Sequence, residues 1–94
     1  MKIREILLSN KEYISSSFHV REIGIFGSAL RGNKKKPNDI DILVEFEEGH
    51  RDFFNYVRLK YYLEDVFGRN VDLVMKKAIK KRLRNRILAE VQYV

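Results

Sequence analysis

The apolar residues of this chain change their spacing from one segment to the next, and each change marks a predicted element. Near the start they recur at helical spacing, and Ser9 and Asn10, two cap-prone residues, mark a point where this helix could be interrupted. Runs rich in β-branched and aromatic residues predict strands at Val20–Phe26, Asp39–Phe46 and Asn70–Met75. Helices that alternate with strands indicate an α/β (α+β) fold, with helices packed on a small mixed sheet of three to four strands.

A second helix is predicted for residues 52–67, because Asp52 is a candidate N-cap and Gly68 a candidate stop. Tyr61 and Tyr62 cannot both lie on its apolar side, so we expect at least one at the surface, where it could serve a partner interface. The residues expected to form the core-facing side are Phe53, Tyr56, Leu59, Leu63, Val66 and Phe67.

The closing segment is strongly basic. Between residues 76 and 86, seven of eleven residues are Lys or Arg and none is acidic. Ile79, Leu83, Ile87 and Val91 recur every four residues, which predicts an amphipathic helix with a cationic face. That face could keep the protein soluble, attract nucleotide or RNA phosphates, or dock against an acidic partner.

A glycine-serine turn follows the first predicted strand. Gly27 permits backbone angles closed to other residues, and Ser28 can cap a short helix over residues 28–32. The free N–H groups at such a helix start attract phosphate oxygens. Arg31 shares a helical face with Ser28 and offers a planar fork of donors to a phosphate. This turn is therefore a candidate nucleotide-binding element.

Two carboxylates stand at the head of the second strand. Because side chains alternate along a strand, Asp39 and Asp41 project from one face, about 7 Å apart at the backbone. Unpaired carboxylates so close repel each other, and a divalent cation removes that cost. Mg²⁺ prefers one or two carboxylates together with substrate phosphates. A third acid, Asp72, lies between apolar residues of the third strand, and it completes the cluster if that strand pairs beside Asp39 and Asp41.

The pattern G-S-x-x-R-G from Gly27, then D-x-D from Asp39 and the later lone Asp72, resembles the DNA polymerase β-like nucleotidyltransferase superfamily. Within it, the chain resembles the minimal nucleotidyltransferases, small proteins often paired with a helical HEPN-domain toxin. The resemblance covers nearly the whole chain.

The resemblance implies a role for each of these residues. The turn is expected to hold the nucleoside triphosphate, the D-x-D acids to bind Mg²⁺ as two ions, and the third acid to support the metal and the acceptor hydroxyl. These roles fall on Gly27 and Ser28, with Arg31 matching the family arginine, on Asp39 and Asp41, and on Asp72.

Composition narrows the class of protein. Ninety-four residues that are 45% hydrophobic suit one domain, residues 1–94, with a small core that a partner subunit or a second copy could support. The absence of cysteine excludes disulfides and thiolate metal sites. No apolar stretch approaches a membrane span, and the first residues lack a signal-peptide core, so we expect a cytoplasmic protein.

The expected activity is transfer of AMP from ATP to an acceptor hydroxyl with loss of pyrophosphate. The resemblance implies that the acceptor is a tyrosine of a cognate HEPN toxin and that the chain is its antitoxin. Two alternatives stay open. One is a small-molecule nucleotidyltransferase of the aminoglycoside-modifying type, which needs an additional pocket. The other is a non-catalytic module that binds a toxin, or binds nucleic acid through the basic helix.

Overall fold

The computed structural model describes residues 2–27 and 39–94. The predicted α/β class and the predicted bounds of the first three strands are confirmed. The elements in the described ranges are α1 (Ile3–Phe18), β1 (Val20–Phe26), β2 (Asp39–Phe46), α2 (Phe53–Phe67), β3 (Asn70–Met75), a 3₁₀ turn (Lys76–Ala78), α3 (Lys81–Glu90) and β4 (Gln92–Tyr93).

The strands form one mixed sheet in the order β3-β2-β1-β4. β2 pairs with β1 in antiparallel orientation and with β3 in parallel orientation, and β4 adds to the free edge of β1 as an antiparallel strand. The central position of β2 fits its composition, because a strand with neighbours on both sides is rich in Ile, Leu and Val. It also places the first residues of β2 and β3 at the same end of the sheet.

The hydrophobic core lies on one face of the sheet, under α1 and α2. Alternate residues of the strands pack there against both helices, and Ile14, Ile42, Leu59 and Leu63 are fully buried. Truncating such a residue to Ala costs about 2–5 kcal/mol of stability. The opposite face of β2 carries the other half of the alternation, which includes the acidic residues.

Helix α1 is continuous, so the interruption considered near Ser9 and Asn10 is wrong. The Ser9 hydroxyl donates to the Glu5 carbonyl at 2.9 Å, and the Asn10 amide donates to the Ile6 carbonyl at 2.8 Å. Both side chains bond to the preceding turn instead of competing with the helix. Asn10 also accepts a hydrogen bond from the Tyr62 hydroxyl at 2.6 Å, which ties α1 to α2.

Helix α2 begins and ends as predicted, but one of its expected core residues is exposed. The Asp52 carboxylate accepts a hydrogen bond from the backbone N–H of Asn55, and Gly68 ends the helix with a φ of 66°. Phe53 is 72% exposed, and Asn55 in the same turn of α2 is buried instead. The Asn55 side chain donates to the Phe18 carbonyl at 2.7 Å, which satisfies a free carbonyl at the end of α1.

The basic closing segment is not one helix from its first residue. Lys76–Ala78 forms a 3₁₀ turn, and α3 begins only at Lys81. Ile79 therefore lies before α3, while the other residues of the predicted apolar stripe are half-buried. No helix in the described ranges combines the length and the apolarity that crossing a bilayer demands.

Candidate active site

Gly27 follows β1 in a conformation that favours glycine. Its φ is 65°, in the left-handed region, and the residue is buried. A Cβ at this position would overlap the carboxylate of Asp41, whose backbone is paired with that of Phe26 in the β1–β2 ladder. The first residue of the predicted nucleotide turn is thus in close contact with one of the predicted metal ligands.

Asp39 and Asp41 project from the same face of β2, as the alternation predicts. Their neighbours Ile40 and Ile42 are 1% and 0% exposed and belong to the core on the other face. Both aspartates are half-buried, so their carboxylates can meet a ligand from solvent while their backbones are held in the centre of the sheet.

Asp72 lies directly opposite Asp41 in the parallel ladder, so the condition under which Asp72 joins the acids of β2 is met. Its neighbours Val71 and Leu73 are buried in the core, so Asp72 is on the same face as the two acids of β2. Adjacent strands are about 4.8 Å apart, which places the two carboxylates within reach of a common ligand.

The chemistry of these donors fits Mg²⁺. Within residues 2–27 and 39–94, no three acidic or histidine side chains converge into a complete metal site. A magnesium site formed with a nucleotide requires fewer protein ligands, because phosphate oxygens and water complete the coordination that one or two carboxylates begin. Asp39, Asp41 and Asp72 are hard oxygen donors on one surface of the sheet, and this donor type fits such a site.

Two predicted nucleotide-binding residues, Ser28 and Arg31, lie outside the described residues, as does the helix predicted for residues 28–32. Gly27 and Asp39 bound this segment, and both belong to the same end of the sheet.

Glu90 is a residue of this site that the sequence reasoning missed. Its Oε1 accepts a hydrogen bond from the backbone N–H of Gly27 at 2.9 Å, across 63 positions of the chain. The sequence contains one signal for it, because Glu90 is the only acidic residue after Asp72 in a closing segment dominated by Lys and Arg.

The end of α3 and strand β4 fix Glu90 beside Gly27. β4 pairs through Tyr93 and Gln92 with Gly24 and Ile25, and the Val94 amide donates to the Ile23 carbonyl at 2.9 Å. A Cβ on Gly24 would lie 2.8 Å from Val91 Cγ2, so the absence of a side chain there permits this close approach. Glycine at position 24 is therefore explained by packing.

The basic face of α3 is partly structural. The Arg84 guanidinium donates to the Lys76 carbonyl at 3.2 Å, and Lys76 itself forms an ion pair with Glu22 at 3.2 Å. The hydrogen bond to Glu22 is the main cause that raises the pKa of Lys76. Lys80, Lys81, Arg82 and Arg86 are exposed and remain available to a partner or a phosphate.

Comparison with known proteins identifies the family. The sequence model of the nucleotidyltransferase domain matches residues 1–94. A protein adenylyltransferase, MntA of Thermococcus cleftensis, is 44% identical over 93 residues, which cover 99% of this chain and 93% of that protein. This chain belongs to the nucleotidyltransferase domain family. It is a nucleotidyltransferase enzyme, as predicted.

Solved structures agree with this assignment. A candidate minimal nucleotidyltransferase has a TM-score of 0.77 and 31% identity, over 98% of this chain and 95% of its own. A toxin–antitoxin structure with AMP-PNP has a TM-score of 0.72 at 22% identity, over 99% of this chain and 72% of its own, and at that identity it shows the fold alone. The predicted minimal nucleotidyltransferase fold is confirmed.

Proposed function

We propose that this nucleotidyltransferase moves AMP from ATP to a tyrosine hydroxyl of a HEPN-domain toxin, with Mg²⁺, and thereby acts as an antitoxin. The observation that carries the proposal is the meeting of Gly27, Asp41 and Asp72 at one end of the sheet. It joins the element predicted to bind a triphosphate to the acids predicted to bind a metal and an acceptor.

The relatives support the donor and the acceptor class. The Thermococcus cleftensis relative is named a protein adenylyltransferase. One structural neighbour is a toxin–antitoxin complex with AMP-PNP, and another is a tri-AMPylated HEPN toxin of Shewanella oneidensis in complex with an MNT antitoxin, with a TM-score of 0.63 and 20% identity. An adenylyl group donated by ATP and accepted by a protein is the reaction that these relatives suggest.

The transfer itself needs orientation and charge more than a protein nucleophile. The acceptor oxygen attacks the α-phosphorus, the bond from that phosphorus to the β-phosphate oxygen breaks, and pyrophosphate leaves. Asp72, the exposed acid of the three, is suited to take the proton from the acceptor hydroxyl. The turn from Gly27, with Ser28 and Arg31, orients the triphosphate.

Asp39 and Asp41 would hold Mg²⁺ together with phosphate oxygens, and Asp72 would support it from the neighbouring strand. When bound, Mg²⁺ supplies positive charge that offsets the negative charge of the triphosphate. The two acids of β2 would otherwise repel that triphosphate, so nucleotide and metal are expected to bind together.

We also propose that residues 1–94 act as one catalytic domain. Support comes from the sheet, in which β4 pairs with β1, and from the Glu90–Gly27 hydrogen bond, which joins the closing helix to the nucleotide turn.

We expect a HEPN protein to be encoded beside this chain, and coexpression of the two proteins tests the proposal. We expect the HEPN protein to copurify and to gain AMP on a tyrosine, detected by mass spectrometry of its peptides, and replacement of that tyrosine by Phe to remove the modification. Formation of a stable complex without any added AMP would instead favour a non-catalytic binding module.

A further inference from the structure

We propose that Glu90 is a positioning residue of the nucleotide site, which acts on it by holding Gly27 through its backbone amide. The inference rests on the proposed function, because it takes the turn to be the triphosphate-binding element. It adds Glu90 of the closing helix, to which none of the expected roles was assigned.

The geometry restricts what Glu90 can do. Its Oε1 lies 2.9 Å from the Gly27 nitrogen, a normal distance for a hydrogen bond to a backbone amide. Since this amide donates to Glu90, the peptide plane between Phe26 and Gly27 is fixed, and so is the direction in which the chain enters the turn. Gly27 itself has a left-handed φ of 65°.

Asp41 also contacts Gly27. The Asp41 carboxylate packs where a Cβ would stand, so the glycine is held between an acid of β2 and the acid that ends α3. Hydrogen bonds that involve a charged partner are stronger than neutral ones, and a half-buried carboxylate loses less of that strength to water. Glu90 is therefore able to hold Gly27 in the observed conformation.

Glu90 is itself held from the next residues along the chain. Val91 packs closely over Gly24, and β4 continues the sheet at Gly24 and Ile25. The backbone of Glu90 cannot shift without breaking this pairing, so a fixed element holds the Glu90 carboxylate against Gly27. Strand β4, which pairs with the edge of β1, thus supports the residue that contacts Gly27.

A carboxylate beside a triphosphate site has two opposing effects. Holding the turn favours nucleotide binding, whereas its negative charge disfavours the approach of phosphates. Glu90→Gln separates them, because the amide oxygen of Gln accepts the same hydrogen bond without the charge, and Glu90→Ala removes both.

The test is binding of AMP-PNP with Mg²⁺ by calorimetry, which requires no acceptor and no turnover. We expect Glu90→Ala to weaken binding about tenfold, the effect of losing one charge-assisted hydrogen bond. Glu90→Gln should bind within about threefold of the wild type, because it keeps the hydrogen bond. Thermal unfolding of each variant, and the backbone ¹⁵N–¹H signal of Gly27, report whether the turn changes without a global loss of fold.

Glu22→Ala is the matched control. Glu22 is also a partly buried acid in a polar contact, but it lies on β1 about 17 Å from Gly27. This control should bind AMP-PNP like the wild type. Unchanged affinity in a folded Glu90→Ala protein would overturn the inference, as would an equal loss in the Ala and Gln variants. Failure of the wild type itself to bind AMP-PNP would count against the proposed function, which distinguishes the two.

Discussion

Asp41 and Asp72 face each other across the parallel ladder between β2 and β3, each flanked along its own strand by residues of the core. The register between β2 and β3 therefore cannot slip, because a shift of either strand by one position would bury its acid and expose an isoleucine or valine of the core. The packing of the core on one face fixes the placement of the carboxylates on the other.

The first prediction separates nucleotide binding from transfer. We expect Ser28→Ala to weaken the affinity for AMP-PNP, because the hydroxyl belongs to the predicted phosphate-binding turn. Asp72→Asn should leave that affinity within a few-fold and slow the transfer step, since a group that serves the acceptor acts mainly in the transition state. Calorimetry and single-turnover transfer measure the two quantities. Equal losses of affinity in both variants would contradict this division.

The second prediction uses two glycines with left-handed backbones. Gly27→Ala should weaken AMP-PNP binding at least about tenfold, because the new Cβ overlaps the Asp41 carboxylate and because alanine disfavours the left-handed φ of this position. Gly49, with a φ of 87°, has open space around it, so Gly49→Ala carries only the backbone cost of about 1–2 kcal/mol. Both variants should lose stability, and only the first should lose affinity. A comparable loss of affinity in the Gly49 variant would argue against a local effect at Gly27.

The third prediction concerns the cationic face of α3. Reversing the charge of Lys80, Arg82 and Arg86 to Glu should weaken the complex with the HEPN protein at low salt, because all three are exposed. Arg84 is left unchanged, because its bond to the Lys76 carbonyl supports the chain before α3. Affinity measured against salt concentration should show the variant and the wild type converging as screening increases.

The control for that experiment reverses Lys2, Arg4 and Lys11, which are exposed on or beside α1 and give the same change in net charge. A loss of affinity in this control equal to that of the α3 variant would show a general effect of charge. Full affinity in the α3 variant would mean that the partner docks elsewhere.

The sequence predicted those parts of the fold that depend on local pattern. The strand alternation predicted that Asp39 and Asp41 share one face, and the structure agrees. The capping preference of Asp predicted that α2 starts after Asp52, and the structure agrees here too. Composition also identified β1, β2 and β3 with their observed bounds.

The features that it missed depend on tertiary contacts. Glu90 reaches Gly27 only because β4 adds to β1, and no local spacing specifies which edge of the sheet the last strand joins. Ser9 and Asn10 could each cap a helix or form a hydrogen bond to the preceding helical turn. In the structure both bond to the preceding turn, and Asn10 also accepts a hydrogen bond from Tyr62. Asn55 was overlooked because a polar residue within an apolar helix face normally lies outside the core.

The most direct test of the catalytic site is transfer of labelled AMP to the HEPN protein by the double variant Asp39→Asn, Asp41→Asn. We expect no detectable transfer and loss of Mg²⁺-dependent ATP binding, because the variant lacks the two carboxylates that would hold the metal, while cooperative thermal unfolding shows that the variant is folded. Asp65→Asn, an exposed acid on α2, is the control and should transfer AMP normally. Transfer by the folded double variant at the wild-type rate would contradict the assignment of the site.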